Sequence, residues 1–93
     1  MSAYAPAAQF WLGSSYYAIK DYRSAIAAQQ ALIDRFPDSP KAPDALLRLG
    51  QSLAALGEKE AACASLGEVI RKFPRASAAI KQGVEREQKR VRC

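Results

Sequence analysis

The sequence predicts an all-α fold of paired helices, and three observations carry that expectation. Alanine is abundant and the prolines fall between apolar stretches rather than within them, the pattern of helical segments with punctuated ends. Leu12 with Tyr16, and Leu49 with Leu53, are i, i+4 apolar pairs that place one face of each segment toward a core. Finally, sliding the chain against itself by 37 residues makes 13 of the 36 positions from Ser2 to Pro37 identical to their partners. Identity at one fixed offset marks an internal repeat.

Each copy reads as helix, tight turn, helix and stop. The turns fall at Lys20-Asp21 and Gly57-Glu58, and the stops at Phe36-Pro37 and Phe73-Pro74, where proline ends a helix by removing a donor and clashing with the preceding turn. In the second copy Ser39 is expected to cap a helix begun by Pro40. Gly13 and Gly50 sit within first helices, where glycine costs about 1 kcal/mol relative to alanine. Their recurrence implies a crossing helix too close for a side chain, with Ala25 and Ala62 as the facing positions. Ile26, Leu32, Ile33 and Phe36 supply the opposing apolar stripe, and Leu12 is assigned to the core. The second repeat leaves an open edge, which a last helix over 76–91 is expected to cap through Ile80 and Val84.

Composition narrows the function classes. The 93 residues make one small domain with a thin stability margin. No run approaches the roughly 18 apolar residues that would span a bilayer. Histidine is absent, which removes the commonest general base and transition-metal ligand. The two cysteines, thirty residues apart, do not make a zinc set. No catalytic residue, metal site or cofactor is therefore expected, and the chain reads as a non-enzymatic module. Cys63 replaces Ile26 of the first copy and is expected to be a small core hydrophobe. Cys93 ends the chain, and a disulfide between them is not expected, because a core site and a frayed tail rarely meet within about 7 Å.

Charge is unevenly placed. Residues 1–70 hold six Lys/Arg against seven Asp/Glu, and residues 71–93 hold eight against two. A basic final helix complements the negative end of its own dipole, so it needs no nucleic-acid or lipid partner. Nucleic-acid binding through Lys81, Arg86, Lys89, Arg90 and Arg92 would also want aromatics between those charges. The helix has none, and no nucleic-acid partner or membrane insertion is expected.

Leu12, Gly13, Tyr16, Ala25 and Pro37 stand at offsets that resemble the tetratricopeptide repeat signature, with Leu49, Gly50, Ala62 and Pro74 in the second copy. Trp11 lies two positions later than that family's tryptophan, and the 37-residue period exceeds the usual period of about 34. The resemblance implies helix-turn-helix repeats, over 2–37 and 39–74, in a short right-handed superhelix with a C-terminal capping helix. The longer wording "FPDSPKAPDALLRLG" and "ALGEKEAACASLGEVIRKFP" resembles more narrowly the C-terminal repeat domain of the periplasmic Tol-Pal accessory family known as CpoB or YbgF. That similarity runs from about Ala8 to Ala79. It implies a periplasmic protein that contacts TolA and the cell-wall synthesis machinery, coordinating peptidoglycan synthesis with outer-membrane constriction in cell division. In that family an oligomerising coiled coil lies upstream, so the present chain reads as a trimmed domain separated from its signal peptide and oligomeric when whole. The competing resemblance is to outer-membrane assembly lipoproteins of the BamD type. A further alternative is a generic adaptor that binds an acidic partner through the basic C-terminal helix.

Such a stack leaves the inner face of the first helices to line a groove. In this register Phe10, Ser14 and Tyr17, with Leu47 and Gln51, fall on that side, and a third helix adds Lys81, Val84 and Gln88. Tyr17 is the sharpest partner-binding candidate, because its counterpart Ala54 shows that the scaffold needs no aromatic there and a half-wet tyrosine suits a protein contact. Phe10, Ser14, Leu47, Gln51 and Lys81 complete the expected site. Tyr4 and Tyr22 are assigned to helix packing or turns.

Overall fold

Five α-helices follow one another in the computed structural model, which describes residues 5–93: α1 (Ala5–Ala18), α2 (Tyr22–Arg35), α3 (Ala42–Ala55), α4 (Lys59–Lys72) and α5 (Ala78–Val91). No strand is present among the described residues. Tyr4 and the first residues of the expected repeat 2–37 lie outside them. The expected hairpins are α1/α2 and α3/α4, and α5 starts at Ala78 behind the N-cap Ser77, whose hydroxyl accepts from the Ile80 N–H at 3.2 Å.

Local chemistry explains the boundaries. The α1–α2 turn places Lys20 at φ 64° and the α3–α4 turn places Gly57 at φ 83°, so equivalent positions share a left-handed residue and only the second copy uses the residue suited to it. Asp21 then caps α2 by accepting from the Ser24 N–H at 3.3 Å. Helices α2 and α4 end at Phe36 and Phe73, each followed by proline. Ser39 does not start α3 as expected. Its hydroxyl accepts from the Lys41 N–H at 3.1 Å, and the helix begins at Ala42 with Pro43 in its first turn; the intervening residues form a turn.

The helices form two layers. Helix α2 packs on both α1 and α3, and α4 on both α3 and α5; α1 touches α3 and α3 touches α5, whereas α2 and α4 make no contact. The odd-numbered helices therefore lie side by side on the inside of the curve. Leu32, Ala45, Leu66, Val69 and Val84 are fully buried between the layers. Val84, expected along the groove as well as at the capped edge, is wholly a core residue. Gly83 beside it allows close approach, since a Cβ there would come within 3.0 Å of Leu47 Cδ2.

Both mid-helix glycines stand at close crossings, but the residue they make room for differs from the expectation. A Cβ on Gly13 would fall 2.3 Å from Gln29 Nε2, and one on Gly50 would fall 2.9 Å from Leu66 Cγ and Cδ2. Gln29 and Leu66 are repeat equivalents, one turn beyond Ala25 and Ala62, which are themselves fully buried. Leu12 corrects the sequence reading more strongly. It is 46% exposed while its equivalent Leu49 is 5% exposed, because α2 covers that face of α3 and no described element covers that face of α1.

The chain end also departs from expectation. Cys63 and Cys93 form a disulfide with a Cα–Cα distance of 5.6 Å. Arg92, at φ 67°, adopts a left-handed C-cap, and the Cys93 N–H donates to Gln88 O at 2.9 Å. This cap turns the last residue back toward α4 instead of letting it fray. Cys63 is half-buried at the edge of the core.

Candidate partner-binding face

The inner layer formed by α1, α3 and α5 brings together part of the expected site. Tyr17, near the end of α1, is half-buried and meets Tyr22 edge to face, with ring centroids 5.4 Å apart. Arg48 crosses from α3 and lies over the Tyr17 ring, 5.7 Å from its centroid. The same guanidinium donates to Gln51 Oε1 at 3.1 Å. Tyr17 and Gln51 thus stand on either side of one arginine. Arg48 was not among the expected site residues; the signal was its equivalence to Trp11, which shows that this position projects outward from the core.

The other expected residues divide. Phe10 is 7% exposed and belongs to the core, so it is not a surface contact as expected. Lys41 covers it, with Nζ 4.9 Å from the Phe10 ring centroid and 6.0 Å from that of Trp11. Ser14 is half-buried with its hydroxyl oxygen enclosed and without a hydrogen-bond partner. Leu47 is partly buried against the core and is occupied by the approach of α5. Lys81 is half-exposed on the first turn of α5. Tyr17, Arg48 and Gln51 are therefore brought together on this layer, Phe10 and Leu47 belong to the packing beneath it, and Lys81 stands apart on the first turn of α5.

Two clefts recur one repeat apart at the N-terminal edges of the odd-numbered helices. One, of about 620 Å³, lies among Pro40, Pro43, Phe73, Pro74 and Ile80; the other, of about 560 Å³, lies among Pro6, Phe36, Pro37, Pro40 and Lys41. Neither contains an expected site residue. At the opposite end Glu87 pairs with Arg90, with Oε2 2.6 Å from Nη2. This pairing raises the Arg90 pKa further above its ordinary value, by the hydrogen bond first and the charge attraction second. The described residues contain no group of three or more His, Cys, Asp or Glu side chains suited to a metal ion, and no helix among them is long and apolar enough to cross a membrane.

Comparison with known families agrees with this architecture. The tetratricopeptide repeat family matches residues 2–40 and 12–77, most of the chain, and the protein belongs to that family of helical repeat modules. Its class is accordingly that of a protein–protein interaction module. No curated protein matches the sequence closely enough to assign it further.

Proposed function

We propose that this module works without enzymatic activity in the bacterial cell envelope, as the Tol-Pal accessory family it resembles does. In this reading it binds TolA through the α1–α3–α5 face and helps coordinate peptidoglycan synthesis with outer-membrane constriction during cell division. The observation that carries the reading is Tyr17. A half-buried tyrosine stands on the inner layer under Arg48, at a position where the second repeat makes do with Ala54. Its aromatic body and hydroxyl serve a partner rather than the scaffold.

The disulfide supports the compartment. Bonds of this kind persist in oxidising spaces such as the bacterial periplasm and are rare where thiols are kept reduced; Cys63–Cys93 fits the first setting. The experiment is recovery of TolA from envelope extract by immobilised wild type and Tyr17→Ala. The reading expects TolA with wild type and a clear loss with the variant. Absence of TolA from both fractions would refute that partner, and equal recovery by both would refute the face.

A further inference from the structure

Lys41 and Arg48 stand seven positions apart, on the N-cap and the second turn of α3. Both project from one side of the helix, about 10 Å apart along its axis. That side faces α1. Each cation rests on aromatic rings, Lys41 on Phe10 and Trp11 and Arg48 on Tyr17. A ring face orients a cation and favours it but leaves its charge in place.

Neither cation has a carboxylate partner. The two ion pairs among the described residues are Glu68–Arg71 and Glu87–Arg90, both within single helices. Arg48 gives one N–H to Gln51, while a guanidinium carries five such donors. Asp44, one turn before Arg48, lines the cleft beside Phe73, Pro74 and Ile80 instead of reaching the arginine. Trp11, next to Lys41, is 63% exposed. The seam between α1 and α3 therefore displays two positioned charges outside any ion pair and an open apolar ring, with Asp38 lining the same cleft as Lys41.

Resting on the docking-face reading above, we propose that this seam recognises an extended acidic segment, with Lys41 and Arg48 each taking one carboxylate and the Trp11 indole taking an apolar side chain beside them. An extended polyproline-II segment advances about 3.1 Å per residue with three residues per turn, so carboxylates at i and i+3 share one face and lie about 9 Å apart, close to the separation of the two cations. A basic segment is repelled at both positions. A nucleic acid would want a longer cationic track with bases stacked along it, whereas here the cations are two and, of the rings beneath them, Phe10 is buried and Tyr17 half-buried, leaving Trp11 alone open.

The test uses short fluorescein-labelled peptides of glycine and serine that carry one leucine and two glutamates three residues apart, a copy with both glutamates changed to glutamine, and a thymidine oligonucleotide. These are titrated against the intact protein, its Lys41→Gln and Arg48→Gln variants, and an Arg71→Gln control on α4, outside the inner layer, after thermal melts show that all are folded. The glutamate peptide should bind about tenfold or more tightly than the glutamine copy at low salt, as expected for charge-assisted hydrogen bonds. Lys41→Gln and Arg48→Gln should each weaken it by about fivefold or more, and the control by less than about twofold. No preference for glutamate, equal weakening by the control, or tighter binding of the oligonucleotide through Lys41 and Arg48 would each overturn the proposal. Loss of TolA recovery in Tyr17→Ala together with indifference to glutamate would refute acidic recognition while leaving the docking face standing. Arg48-dependent glutamate binding without recovery of TolA would support the seam and refute only the partner.

Discussion

Gly13 and Gln29 make a coupled pair. Gln29 is fully buried and donates from Nε2 to Phe10 O at 3.1 Å, while its Oε1 has no partner. Leu66 fills the equivalent site beneath Gly50 without a polar atom. Since an enclosed, unsatisfied oxygen costs about 1–3 kcal/mol, Gln29→Leu should stabilise the protein and raise its melting temperature. Gly13→Ala should instead cost about 1–3 kcal/mol by forcing Gln29 from its place. In the double variant Gly13→Ala/Gln29→Ala the two losses should sum to less than their separate values, because residues in contact couple. Lys20 offers an independent check: it holds φ 64° where the second repeat has Gly57, so Lys20→Gly should stabilise by about 0.5–1 kcal/mol. Chemical denaturation measures all of these.

Helix α5 works as the third layer of a two-repeat stack. Its Val84 is fully buried, Gly83 permits its approach, and Cys93 ties its end to α4. Truncation after Pro74 should leave an unfolded or aggregating chain, since about three repeats are normally needed to bury a continuous core. The covalent tie can be tested alone. Closing a loop of thirty residues stabilises by about 3.6 kcal/mol on the chain-entropy account, so Cys93→Ser should lower the melting temperature by roughly 15 °C or more. A reducing agent should bring wild type to the same value and leave the variant unchanged. Identical melting of oxidised and reduced wild type would refute a stabilising role.

Across the molecule, the legible part was what repeats. Turns at Lys20 and Gly57, stops at Phe36 and Phe73, and glycines at close crossings all follow from residues that recur at one offset, and the structure places each of them there. Errors gathered where the repeat has an end. Analogy with Leu49 puts Leu12 in the core, yet burial depends on a neighbouring helix that α1 does not have among the described residues. The sequence suggests a frayed terminus at Cys93 because the left-handed cap at Arg92 has no counterpart in the wording of the repeat. The candidate site was half legible for a similar reason. Periodicity finds Tyr17 and Gln51 on one face, but it does not show that Arg48 reaches across from α3 to join them.

That face carries the account, and the titration that isolates it compares wild type, Tyr17→Ala and Arg90→Gln/Arg92→Gln against the periplasmic part of TolA at two salt concentrations. Tyr17→Ala should weaken binding by about 1 kcal/mol or more, as a truncated central contact does, with the fold intact because Ala54 already occupies the equivalent site. Neutralising Arg90 and Arg92 should change mainly the salt dependence and the on-rate, as rim charges do. Wild-type affinity in Tyr17→Ala together with lost binding in the arginine variant would contradict the account and move the site to the basic end of α5.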